Sequence, residues 1–185
     1  DFYRKDMILD IGFDPEEGNR MVVFPHTFHV DKEFNPYRDV VKKGEKKPHG
    51  NMLYHIDRIA KNLSDNHATM NDSVRLVHLY IIIHSIGDLH CPMHMRFIDR
   101  EPSLGTYKVY FGKGKKKKQI GYHGLWDYKM ISTIHPWSYT DMAELFDIYT
   151  EKEIAKFCKG DLFDWGKDVA KTSYPMREYK EGDEI

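Results

Sequence analysis

The sequence predicts a mainly helical single domain, spanning residues 1–185, with one small β-hairpin. Three observations carry that expectation. Apolar residues recur at helical spacing over much of the chain, with residues suited to capping at their starts. One segment, TYKVYFGKGKKKKQIGY, instead alternates apolar and polar residues around two glycines, as a hairpin does. At 185 residues the chain has enough length for one sizeable core, and it shows no internal repeat or long linker.

Taken in order, residues 1–11 read as a short helix, and residues 12–50 read mostly as loop with a short apolar insert, MVVFPHTFHV. A helix is expected from about Asn51 to Leu63, because Leu53, Ile56, Ile59 and Ala60 share a face. Residues 64–70 read as a polar connector. The next helix runs from Asn71 or Asp72 to His90, with Asn71, Asp72 and Ser73 all suited to cap it. The hairpin follows at residues 106–122, turning on Gly112 and Gly114 with a lysine-rich tip. Helical patterns then resume as HGLWDYKMIST, TDMAELFDIYT, EKEIAKFCKG and DLFDWGKDVAKTSYP. Ser138 or Thr140 would start the second of these. Thr150 with Glu153 forms a capping box for the third, and Gly160 would close it.

Composition excludes some classes. With 28 basic and 29 acidic residues, net charge alone points to neither nucleic acid nor a membrane surface. No apolar run reaches about 18 residues, so no membrane span is expected. The two cysteines, Cys91 and Cys158, make neither a disulfide framework nor a metal-like pair, and are read as free or buried thiols, with thiolate ligation by Cys91, inside a His-rich stretch, as the lesser alternative. The chain opens at Asp1 without an initiator Met, so an N-terminal segment is expected to be missing. Oligomeric state is not legible.

Histidine is the outlier of the composition, at 11 residues, and it concentrates in HSIGDLHCPMH, His84 to His94. On a helix, His84 and Asp88 lie one turn apart and share a face. Pro92 cannot continue a helix interior, so the chain is expected to bend there and carry His94 back toward the same point. At about 100° per residue, His90 is rotated about 120° from His84 and about 160° from Asp88, which leaves it out of the direct ligands. HGLWD, His123 to Asp127, repeats the His-to-Asp spacing on a second helix, with Trp126 nearby to limit water access. PHTFHVD adds His26 and His29 in a loop. Imidazoles and carboxylates gathered in this way are the donors of a zinc site. Zinc would lower the pKa of bound water from about 15.7 toward about 7, generating a nucleophile near neutral pH. Asp88 and Asp127 would offset the metal charge and orient that nucleophile. Lys113 and Lys115 to Lys118 read as a solvated hairpin tip with a modest pull on phosphate. Arg96 reads as a surface ion-pair partner, and Phe28, Phe97 and Tyr122 as core residues rather than base-stacking platforms.

These motifs resemble a known family. HSIGDLHCPMH is similar to H-F-x-G-D-x-H-Q-P-L-H, GYHGLWD to N-L-H-x-x-W-D, and TFHVD to W-H-Y-x-[DN], in the same order. They are the signatures of the S1/P1 nuclease family, zinc-dependent single-strand nucleases with a fold like that of zinc phospholipase C. The resemblance reaches from the N-terminus to about Pro175. It implies three zinc ions in a cleft and hydrolysis of single-stranded DNA or RNA to 5′-phosphorylated products. It implies that His84, Asp88 and His29 serve one zinc, that Asp88 bridges to a neighbour, and that His94, His123 and Asp127 hold another. An upstream aspartate in W-[AP]-D-x-I-R is matched by Asp1, since Arg4 completes the pattern; Asp6 is its rival. The resemblance also implies a secreted or periplasmic protein.

Three departures stand out. The family's terminal Trp and nearby His, which bind one zinc, have no counterpart here, so either they are missing from the sequence or that zinc cannot bind normally. The signature Gln is Cys91. The D-x-G-G-N segment is replaced by DREPSLGTY, and the usual Asn contact with it, which leaves room for a different substrate preference. The competing expectations are a zinc phospholipase C or phosphomonoesterase with the same metal cage, and a metal-binding domain without activity.

Overall fold

The computed structural model describes residues 27–37, 39–40, 49–50, 52–97 and 106–185. The expected helix at residues 1–11, Asp1, Asp6 and His26 lie outside them. Helix α1 (Met52–Asn66) buries Met52, Leu53, Ile56 and Ile59 along one stripe. Ala60, expected on that stripe, is exposed although it lies only about 20° around the helix from Leu53; the buried stripe ends along the axis at Ile59. The helix also continues three residues beyond the predicted end at Leu63, through the polar SDN.

Helix α2 (Asp72–His90) matches its predicted bounds, and the Asn71 side chain accepts from the Ser73 N–H at 2.9 Å. Its middle is apolar on all sides, so the sequence does not disclose which face turns inward. The buried stripe is Val77, His78, Ile81, Ser85 and Leu89, stepping mostly by four, while Leu76, Leu79, Tyr80 and Ile83 are exposed. Two polar side chains therefore lie inside, and both have partners. Ser85 Oγ donates to the Ile81 carbonyl at 2.6 Å. His78 pairs through Nδ1 with the Val74 carbonyl at 2.8 Å and through Nε2 with Asn62 Nδ2 at 3.0 Å, which ties α2 to α1. That pattern suits a neutral ring with hydrogen on Nδ1.

Residues 27–50 are not wholly loop. Strand β1 (Phe28–Val30) is in this segment, as are β2 (Asp39–Val40) and β3 (His49–Gly50), which pair antiparallel. After α2, a 3₁₀ turn (Pro92–His94) leads into β4 (Met95–Phe97), which runs parallel to β1 with Phe28 opposite Met95 and Val30 opposite Phe97. Those four side chains are buried with Met52, Leu53 and Ile56 of α1, Leu89 of α2 and Ala170 in the main core.

The predicted hairpin is β5 (Lys108–Phe111) and β6 (Lys118–Gly121), in register from Lys108–Gly121 to Phe111–Lys118. Gly112 (φ 107°) and Gly114 (φ 53°) make its turn, a conformation side chains resist. Val109 beneath it packs with Met93, Tyr122 and Leu125. Helical chain then follows as α3 (Tyr122–Gly124), a π-helical turn (Leu125–Lys129), α4 (Met130–Ile134), α5 (Tyr139–Phe146), α6 (Glu151–Phe157) and α7 (Leu162–Ser173). Helix α5 starts from a Ser138–Asp141 capping box, and α6 from the predicted Thr150–Glu153 box. Gly160 takes φ 84° three residues beyond α6. No helix among the described residues is long and apolar enough to cross a membrane.

Candidate metal centre

Three local structures place the candidate ligands. The first is the C-terminal half of α2, where His84 Nε2 stands 3.2 Å from Asp88 Oδ2. His84 is about half exposed, whereas the Asp88 side chain retains 15% of its accessible surface. The second is the break after α2. Pro92 brings no N–H, and Cys91 caps the helix in an extended conformation (φ −89°, ψ 121°). The 3₁₀ turn closes with the His94 N–H donating to the Cys91 carbonyl at 3.1 Å. The bend does return His94 toward α2: its Nδ1 lies 3.7 Å from Asp88 Oδ2, close for opposite charges but too long for a hydrogen bond.

The third is the π-helical turn. Met130 N–H reaches back five residues to the Leu125 carbonyl, inserting one extra residue into the helix. His123 Nε2 still faces Asp127 Oδ2 at 3.1 Å. Core contacts hold this turn against the 3₁₀ turn, because Met93, next to His94, is buried with Tyr122 and Leu125, which flank His123. Trp126 is half-buried against the same cluster.

The result is a convergence of donor atoms from chain segments about 30 residues apart. His94 Nε2 lies 3.0 Å from His123 Nε2 and 3.4 Å from Asp127 Oδ1, with the imidazoles edge to face at a centroid distance of 4.7 Å. In a tetrahedral site with zinc–ligand distances near 2.05 Å, neighbouring donors are about 3.3 Å apart. The 3.0 Å between the two imidazoles and the 3.4 Å from His94 to Asp127 Oδ1 lie near that edge, while His123 meets the other carboxylate oxygen, Oδ2, at 3.1 Å, so the carboxylate stands between the two rings as a candidate ligand.

The sequence favours a free or buried thiol at Cys91 over a thiolate ligand, yet its Sγ donates to Asp127 Oδ1 at 3.2 Å. Cys91, His94 and Asp127 form a group whose ligand atoms all lie within 4.8 Å of one another. Burial, with the Asp127 and Asp88 carboxylates adding to it, pushes the thiol up to about 12 from an ordinary 9.0; a hydrogen bond from Met93 opposes the rise. Uncomplexed, the group is a thiol at neutral pH. The signal that could have found it is the C-x-x-H spacing across a proline turn.

The remaining expected residues fall as follows. His29 is half-buried on β1, opposite Arg96 in the parallel pair and thus two residues from His94 in register. His90 is exposed, with Nδ1 2.7 Å from the Ile86 carbonyl of its own helix. Phe28, Phe97 and Tyr122 are buried and serve the core. The lysines of the hairpin tip are exposed, with Lys117 paired to Glu184.

With this geometry in place, a comparison with family models is decisive. The S1/P1 Nuclease family model matches residues 19–181. The chain belongs to the S1/P1 nuclease family. A search of curated proteins gives no match. Family membership accounts for the mainly helical fold with its small hairpin, and the convergence of His94, Asp127 and Cys91 is a candidate metal site within it.

Proposed function

We propose that the chain is a zinc-dependent endonuclease that hydrolyses single-stranded DNA or RNA to 5′-phosphorylated products. The observation that carries this reading is the approach of His94, His123 and Asp127 to donor separations of 3.0–3.4 Å in a family of nucleases. Their Nε2 and carboxylate oxygens would hold one ion. His84, Asp88 and His29 would hold a second, and the approaches of Asp88 to both His84 and His94 support a bridging role for it. Asp1 would complete that set, and the family's third zinc would need its terminal Trp and His. A bound zinc supplies a Lewis acid for the phosphoryl oxygens and a nucleophile from water near neutral pH.

The chain's own contribution is charge and position. Asp88 and Asp127 offset the cationic charge and orient the nucleophile, and both would be catalytic. The core contact of Met93 with Tyr122 and Leu125 keeps the two halves of the centre in register. Exposed Lys113, Lys115, Lys116 and Lys118 favour a polyanionic substrate. Location outside the cell or in the periplasm follows from the family resemblance.

Elemental analysis should find zinc in the purified protein, and chelation should abolish cleavage of single-stranded DNA and RNA. Full activity in His84→Ala or Asp127→Asn would sink the assignment. A second reading, hydrolysis of a phospholipid, draws on exposed Tyr128, Ile131 and Ile134, which follow Asp127 on the same helical segment. Turnover of phosphatidylcholine in place of single-stranded DNA by the same preparation would favour it. Zinc occupancy without hydrolysis of any phosphodiester would instead mark a metal-binding domain without activity.

A further inference from the structure

We infer that Cys91 is a fourth protein ligand, binding as a thiolate, to the ion held by His94, His123 and Asp127. The inference rests on the metal-centre reading above and concerns what this chain has changed in it. The signature found in the family carries an amide at this position, and an amide cannot supply a thiolate.

Geometry brings the sulfur to the site. Cys91, though extended itself, caps the Pro92–His94 turn, and its Sγ and a ring nitrogen of His94 lie within 4.8 Å of each other. The Sγ then meets Asp127 Oδ1, the same oxygen that lies 3.4 Å from His94 Nε2. A cysteine that served only the core would turn its sulfur to apolar neighbours. This one turns it to a carboxylate flanked by two imidazoles. One face of Cys91 does touch the Met93, Tyr122 and Leu125 cluster, and that contact fixes its orientation.

Binding would exchange one bond for another at sulfur. The Sγ–H proton leaves to solvent as the sulfur–metal bond forms, and Asp127 Oδ1 loses a hydrogen-bond donor while gaining a cation. Two nitrogens, one oxygen and one thiolate complete a tetrahedron from protein alone. Zinc sites with four protein ligands are closed, whereas catalytic ones keep a position open. Sulfur at that corner would therefore close this ion to solvent, leave the water-derived nucleophile of the proposed reaction to the ion of His84, Asp88 and His29, and favour zinc over harder cations.

Cobalt(II) is the probe, because thiolate ligation gives it a charge-transfer absorption in the near ultraviolet that nitrogen and oxygen ligands lack. The full chain carrying Cys158→Ser is used, since Cys158 is an exposed free thiol that could bind cobalt by itself. Titration should raise the sulfur band in proportion to bound cobalt. Adding Cys91→Ser should abolish the band while cobalt remains bound. As a readout that needs no Cys91 variant, zinc should protect Cys91 from alkylation by iodoacetamide, and chelation should restore the reaction. Cobalt bound without a sulfur band, a band that persists in Cys91→Ser, or alkylation indifferent to zinc would each overturn the ligand assignment alone. Failure of the protein to bind cobalt or zinc at all would overturn the metal centre and this inference with it.

Discussion

Replacing Asp127 with Asn tests whether this side chain holds metal or merely packs. The two side chains are nearly the same shape, so the change removes one negative charge and converts one oxygen into an NH₂ donor. In the structure both oxygens are engaged, Oδ1 with Cys91 and His94 and Oδ2 with His123. The Asn oxygen can keep the place beside Cys91 Sγ, and its NH₂ can donate to His123 Nε2 when that nitrogen is the acceptor of a neutral ring. The Asp127 side chain is also 39% exposed, which limits what its contacts add to folding without metal. The metal-free proteins should therefore differ by less than about 1 kcal/mol.

With zinc the two should separate. Losing groups that only orient a metal ligand costs about 10–100-fold in affinity, so losing a direct anionic ligand should cost about 100-fold or more. At free zinc about 100 times the native dissociation constant, the native chain gains about 2.7 kcal/mol. A variant that binds about 100-fold more weakly then sits at its own dissociation constant and gains about 0.4 kcal/mol. The difference, about 2.3 kcal/mol, corresponds to about 5–9 °C in Tm for a chain of this size. Thermal unfolding with and without buffered zinc reads it directly. An equal zinc-induced rise in both proteins would refute Asp127 as a ligand. A large drop already present without zinc would show that the residue serves the fold instead.

Other expectations concern the scaffold. Burial holds His78 below its ordinary 6.5, with the Val74 carbonyl opposing and the positive Arg58 reinforcing the shift. The unfolded chain therefore takes up this proton first on acidification, so the contribution of His78 is complete above about pH 6.5 and is lost as pH falls below it. Urea titrations between about pH 7.5 and 5.5 should show a shallower loss in His78→Gln than in the native chain, and parallel slopes would contradict the buried neutral ring. Leu89→Ala removes a fully buried side chain from the main core and should cost about 2–5 kcal/mol in the same titrations; a cost near zero would mean that α2 is not packed as described. Asn71→Ala should cost about 1 kcal/mol through loss of the cap on Ser73, while Asn71→Asp should hold or improve stability by placing a carboxylate at the helix N-terminus.

What could be read from the sequence was decided by how far apart the cooperating residues lie. The Asn71 cap, the Thr150–Glu153 box and the glycine turn of the hairpin are written within a few residues, and all three are present. The His-to-Asp pairs on α2 and after Tyr122 are local too, and their 3.2 and 3.1 Å contacts follow from helical spacing. By contrast, β1 finds its parallel partner more than sixty residues away, and three-residue strands leave no usable alternation, so β1 reads as part of a loop and nothing in the sequence signals its pairing. The inward face of α2 was hidden for a different reason: its apolar residues surround the helix, and the buried stripe contains a His and a Ser whose partners come from tertiary structure and from their own turn. Cys91 combines both obstacles. Its spacing to His94 is local, but it acquires chemical meaning only because Asp127, on a π-helical turn 36 residues later, presents an oxygen to it. A family signature with an amide at that position would also steer a reader away from sulfur. The departure from the pattern, rather than the match, is therefore where this chain's metal chemistry is expected to be its own.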